Sequence, residues 1–152
     1  MGIFWVYYIF AKNEIFDVLT QKGITGFKAY PAIHYKKKTP LETIKQLKVI
    51  GELAPGVIAD NLTLADVEKI TADNIITHEN YPCGHIKYVG LGRGMYKYSR
   101  NIFGEKLDLV KTHEWFGGGH SAVQLILASA KFVKVYMENN WKGLSLNPIE
   151  LV

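Results

Sequence analysis

The chain has 152 residues, of which 48% are hydrophobic and 21% charged, with a net charge of +4 and a single cysteine. That is one domain or two very small ones, long enough to bury roughly two-thirds of the unfolded surface. One cysteine excludes an internal disulfide and fits a reducing compartment, and no apolar run reaches the ~20 residues of a membrane span, so a cytoplasmic setting is expected.

Ile3 to Phe10 is aromatic and β-branched, which suits a buried first strand. The start lacks the basic region and cleavage site of a signal peptide. Asn13 to Lys22 carries Ile15, Phe16, Val18 and Leu19 on one broad face, with Asn13 placed as a cap. Gly23 is positioned to end this helix in a left-handed conformation. Ile24 to Tyr35 reads as extended, with Pro31 marking an edge strand or a bulge. Lys36 to Pro40 is a basic turn. Thr43 to Leu53 fits a helix by propensity and a strand by its branched residues. Ala54-Pro55-Gly56 is a turn. Thr63 caps a short helix to about Ile70, Thr71 to Pro82 is loop, and Ile86 to Gly90 is a short strand. Lys106 to Thr112 is ambiguous. Glu114 to Ser121 reads as a glycine-rich loop. It leads into a strand over Val123–Ala128, an N-cap at Ser129, and a helix through Phe132, Val133, Val135 and Tyr136. Trp141-Lys142-Gly143 breaks that helix before a short strand interrupted by Pro148.

The two ends share a pattern. At a spacing of 117 residues, Ile9 falls on Ile126, Phe10 on Leu127, Ile15 on Phe132, Val18 on Val135, Ile24 on Trp141, Gly26 on Gly143 and Pro31 on Pro148. Glycine, proline and apolar phase together indicate a duplicated strand–helix–strand unit, about 3–35 and 122–152, around a middle region 36–121.

Chemistry-bearing motifs are sparse. Cys83-Gly84-His85, with His78 upstream, offers one thiolate where a zinc cage needs four ligands, so neither a metal nor a cofactor is expected. Gly90-Leu91-Gly92-Arg93-Gly94 lacks the third fingerprint glycine and the lysine–hydroxyl ending of a phosphate loop. The loop at 117–121 has no acid–histidine partner for Ser121, which leaves a small hydrolase as a minor alternative. Tyr88, Arg93, Tyr96, Lys97, Tyr98 and Arg100 interleave aromatics with cations, a pattern shared by single-strand nucleic-acid surfaces and protein contacts. Trp115 and Phe116 beside three glycines either plug the core or form an exposed anchor. The basic residues make no run longer than Lys36-Lys37-Lys38, too diffuse to mark a nucleic-acid protein.

The order of landmarks resembles the immunity proteins of the double-CxxCG family, which protect bacteria from polymorphic toxins. The residues that carry it are Gly23 to Ala32, Val49-Ile50-Gly51 with Ala54-Pro55, and Pro82-Cys83-Gly84-His85 followed by Tyr88. Trp115 with Gly117-Gly118-Gly119-His120-Ser121, and the closing Trp141 to Pro148, complete the series. The chain departs from the pattern at the cysteines. The first pair would fall upstream of Met1, as in a shortened version, and Asn80 stands where the second pair's first cysteine belongs, so no tetrathiolate zinc ribbon can form. Gly56 to Asn80 is also longer than the pattern.

The expected fold is therefore a single α+β domain, 1–152, with the duplicated units sharing one mostly antiparallel sheet and helices on one face. The resemblance implies a non-catalytic protein that binds a cognate toxin. Its expected contacts are Arg93, Tyr96, Tyr98, Trp115, Phe116 and His120, on loops of the middle region. A nucleic-acid module built on the 88–100 loop and Lys36–Lys38 is the alternative; otherwise no nucleic-acid or membrane partner is expected.

Overall fold

The computed structural model describes residues 2–4, 8–58, 87–88, 96–104, 107–116 and 123–152, with 2–4 and 87–88 described by backbone only. The expected helix from Thr63 and the loop to Pro82 lie outside them. The chain is α+β and its strands are mostly antiparallel. Among the described residues they form three sheets and not the single sheet expected.

The longest apolar alternation sits at the centre. Strand β7 (Leu109–Phe116) alternates buried and half-buried residues, and β8 (Val123–Ala128) is almost wholly buried. They pair antiparallel, with a register shift between Lys111 and Trp115. Thr112 repairs that irregularity: its hydroxyl donates to the Glu114 carbonyl and accepts from the Leu125 N–H. With β1 (Gly2–Phe4), β5 (Lys87–Tyr88) and β9 (Asn147–Pro148) they make a five-stranded sheet in the order β5-β7-β8-β1-β9. β2 (Ile9–Lys12), β3 (Phe27–Ile33) and β4 (Pro40–Val49) make a second sheet, β2-β4-β3. β6 (Lys97–Tyr98) and β10 (Glu150–Leu151) pair in parallel. The single first strand expected over Ile3 to Phe10 is thus two strands in two sheets.

Two expectations resolve on β4. The ambiguous Thr43–Leu53 segment is strand through Val49, because β4 is the middle strand and both its edges are hydrogen-bonded. Lys36–Lys38 close the β3–β4 hairpin, and Lys38 takes a positive φ of 57°. Pro31 marks both an edge strand and an irregularity: β3 is an edge, and its register shifts between Pro31 and Ile33.

The main sheet lies between two cores. On one side α1 (Asn13–Gln21) contributes Phe16 and Leu19, and α2 (Ala130–Glu138) contributes Phe132, Val135 and Tyr136. They pack with Leu47, Val49, Leu109 and Ile126, so both helices serve the same core. On the other side Tyr96, Tyr98, Val110, Phe116, Leu125 and Leu127 form a second cluster with Leu53.

The 117-residue spacing reappears in the helices and their endings. α1 and α2 stand at that offset end for end. Gly23 (φ 62°) donates to the Thr20 carbonyl and Ile24 to that of Leu19; Asn140 (φ 51°) donates to Met137 and Trp141 to Tyr136. Both are paired 5→2 and 6→1 closures through a left-handed residue. Gly26 and Gly143 also share positive φ, 89° and 103°. Beyond this the ends differ. β2 and β8 belong to different sheets, and the long β3 corresponds to the short β9 and β10. The helix starts differ too. Ser129 caps α2, accepting from Phe132 N at 3.1 Å, whereas Lys12 is the cap of α1 with no side-chain bond. Asn13 is the first helical residue, and its amide donates instead to the Glu42 carbonyl at 2.6 Å.

Asp108 ties the ends together. Its carboxylate accepts from Ser129 Oγ at 2.6 Å and from Thr25 N at 3.0 Å, with Lys131 Nζ at 3.6 Å. Lys131 also donates to the Gly23 carbonyl at the end of α1. Burial opposes ionisation of Asp108, and the bonds from Ser129 and Thr25, with the Lys131 charge, outweigh it and hold the carboxyl below its ordinary 3.8. Because the folded value is depressed, the stabilisation is complete above the unfolded value and is lost as pH falls through the folded one. Asp108→Asn should therefore unfold at lower temperature than the natural chain at pH 7, and melting curves should show that gap narrowing as the pH falls from 4 towards 2.

Gly26 meets the same strand with its backbone. A Cβ there would lie 2.0 Å from the Leu109 carbonyl oxygen, whereas one at Gly143 has nothing within 4 Å. Gly26→Ala should cost more than about 3 kcal/mol and Gly143→Ala only about 1–2 kcal/mol in denaturant titration, since only the first adds a clash to the left-handed strain.

Candidate binding cleft

Where the β2–β4–β3 sheet diverges from the β7–β8 end of the main sheet, a cleft of about 610 Å³ opens. Its depth is lined by Ile9, Leu47, Val49 and Ile126, and its mouth by Tyr8, Tyr30, Ile33, Gln46, Lys48, Lys111, Trp115 and Gln124. Aromatic rings, amides and two ammonium groups make this wall, and among the described residues no carboxylate lines it. An apolar depth with a few polar groups at its rim is the usual composition of a recognition site.

Register explains the rim. Phe10, Gln46 and Tyr30 stand opposite one another on β2, β4 and β3, so their side chains share one face of the small sheet. Lys48 and Lys28 pair on that same face one step along. Tyr8 continues the row, its ring centroid 6.5 Å from that of Phe10. Lys48 Nζ lies 5.7 Å from the centre of the Tyr30 ring. The exposed large apolar side chains gather here. Among the described residues Tyr8, Phe10, Tyr30, Ile33, Tyr35, Leu41 and Ile50 belong to this sheet or its margins, and only Met137 and Val152 lie elsewhere.

A charged group borders the cleft on the β7 side. Lys111 Nζ lies 3.7 Å from Glu52 and donates to Gln124 Oε1 at 3.2 Å, while His113 Nδ1 lies 3.3 Å from Glu52. The Gln124 amide, against a burial cost and with help from Lys111 and His113, holds the Glu52 carboxyl below its ordinary range. Glu52 therefore stays ionised and anchors Lys111 at the cleft wall. Deeper on the other side, buried Glu114 accepts from the Gly56 and Val57 N–H groups at 2.6 and 2.8 Å. That carboxylate fixes the Ala54-Pro55-Gly56 turn.

The six expected contact residues divide three ways. Arg93 and His120 lie outside the described residues, as do Cys83, His78 and His85. Trp115 is half-buried and lines the cleft. Tyr96, Tyr98 and Phe116 are core: Tyr98 and Phe116 are 0% exposed, and Tyr96 packs edge-on against Phe116 at 5.1 Å. The expectation of an exposed loop is corrected for these three. β7 continues through Phe116, and β6 is held between the 56–58 segment and β10. The 88–100 nucleic-acid surface loses Tyr98 and Tyr96 for the same reason. The residues that line the cleft beside Trp115 carried a faint signal, since Tyr8, Tyr30 and Lys48 are bulky or charged residues on strands whose opposite faces supply the core.

No family model, curated protein or solved structure matches the chain. Among the described residues no helix is long and apolar enough to cross a membrane, and no group of three or more His, Cys, Asp or Glu side chains is placed to hold a metal.

Truncating a core aromatic differs from truncating a contact. Phe116→Ala should cost roughly 3–5 kcal/mol of stability, as large core truncations do, whereas Tyr8→Ala, at 68% exposure, should leave the melting temperature nearly unchanged.

Proposed function

We propose that the protein is a non-catalytic binding protein that neutralises a cognate bacterial toxin by holding it at the cleft and the neighbouring face of the small sheet. The observation that carries this is the gathering of exposed aromatic and aliphatic side chains on one three-stranded sheet and its margins, with Tyr8, Tyr30 and Ile33 among them lining the cleft. A contiguous exposed apolar patch marks an interaction site, and tyrosine and tryptophan dominate the binding energy of protein contacts. The likeness of the chain's landmarks to double-CxxCG immunity proteins supplies the class of partner. Trp115, Tyr8, Tyr30 and Ile33 are its anchors, and occlusion of the toxin's working surface is the mode of action. The protein acts in the cytoplasm and uses no cofactor.

The test is co-expression with the toxin domain encoded beside the gene. Cells should survive, and the two proteins should co-purify. Tyr8→Ala and Ile33→Ala should each weaken the complex by about 2 kcal/mol with melting unchanged. Death of the cells together with no complex between the purified proteins would refute the reading.

A further inference from the structure

The β3–β4 hairpin carries a charge that the chain as a whole does not show. Residues 27–49 hold Lys28, Lys36, Lys37, Lys38, Lys45 and Lys48 against the single carboxylate Glu42, a net +5 where the whole chain sums to +4. The remainder of the molecule is therefore close to neutral, and the basic character is a property of one hairpin. Its lysines are interleaved with exposed rings. Tyr35 at the tip is 81% exposed with Lys38 Nζ 4.4 Å from its centre, and Tyr30 on the face carries Lys48 in the same way. The tip is ordered by its own bonds: His34 N donates to the Thr39 carbonyl, Lys38 N to the His34 carbonyl, and Lys37 N to His34 Nδ1.

We infer that this hairpin, with the Phe10–Gln46–Tyr30 row beside it, is a binding surface for single-stranded nucleic acid. The inference goes beyond toxin binding and does not depend on it, and because Tyr30 would serve both, the two partners would compete for this face. Charge complementarity calls for a polyanion, and the kind of cation narrows the choice. All six basic residues are lysine. Protein interfaces are depleted in lysine, whereas a lysine ammonium serves phosphate oxygens as a point charge. The rings narrow it further. Phe10 and Tyr30 sit on strands two apart, about 10 Å across the sheet, and Tyr35 stands at the far end of β3. Exposed rings spaced among lysines on a sheet are a stacking platform for unpaired bases, with the ammonium groups tracking the backbone. From Lys48 to Pro40 the strand extends about 27 Å, room for several nucleotides.

Fluorescence anisotropy of a labelled 15-nucleotide oligothymidylate, titrated with the full chain at 50 and 200 mM KCl, tests this. Binding should weaken linearly in log–log form with salt, and Lys28→Gln with Lys48→Gln should lessen the slope by about 0.7 for each phosphate that is no longer neutralised. Lys36→Gln with Lys37→Gln should do the same from the tip. Tyr30→Ala should lower affinity roughly tenfold or more at fixed salt with the slope unchanged, because it removes stacking and no charge. Far-ultraviolet circular dichroism of each variant should overlay on that of the natural chain. No binding at 50 mM KCl would overturn the inference. So would tighter binding of duplex DNA than of the single strand, or of polyglutamate than of the oligonucleotide, the latter pointing to an acidic protein partner. Equal affinity of the natural chain and the Tyr30→Ala variant would overturn the stacking platform.

Discussion

Asp108 is the contact on which the arrangement of the two helical units depends. One carboxylate takes the Thr25 amide from the turn after α1 and the Ser129 hydroxyl from the cap of α2, while Lys131 joins its charge to the end of α1. A nearly buried carboxylate is costly unless its oxygens are occupied; here both are. The neighbouring residue, Leu109, receives the bare backbone of Gly26. Polar and steric constraints thus meet at adjacent positions of the chain and press the turn after α1 onto the start of β7. Residues of both sheets line the cleft, Leu47, Lys48 and Val49 from β4 and Lys111 and Trp115 from β7 among them.

The cleft is consequently a by-product of how the core is closed. Leu47 and Val49 point into the helical core, so the opposite residues of β4, Gln46 and Lys48, must face away from it. The rows they form with Phe10, Tyr30 and Lys28 have no layer above them among the described residues. The small sheet has a core against one of its faces, and the chain places rings and lysines on the other, where short polar residues would serve solubility better.

Local signals were the legible part of the sequence. Ser129 as a cap and Gly23 as a left-handed stop depend only on neighbours within a turn, and both took the expected form. Asn13 had the right chemistry one position too late, because Lys12 already supplies the extended residue before the helix. What was hidden depends on partners distant in the chain. Thr43 to Val49 is strand because β2 and β3 flank it, and nothing in its own composition says so. Trp115 and Phe116 read as loop because glycines follow them, yet they end a strand with the two side chains on opposite faces. One lines the cleft, and the other completes the second core. Site residues on strands such as Tyr8, Tyr30 and Lys48 are the hardest to read, since only tertiary structure decides which face of an alternating pattern stays outside.

Among the described residues β1 pairs with β8 and β9, both of them distant from it in the chain. During synthesis, β2, α1, β3 and β4 can assemble within the first fifty residues, since their pairings are local. Gly2–Phe4 has to wait until Ile126–Ala128 has left the ribosome. Such non-local closure slows folding, because the loop entropy is spent before the contact forms. The pairings of the small sheet are local and those of β1 are not, so the exposed aromatic face is specified by a short stretch of chain and the central sheet only by distant ones.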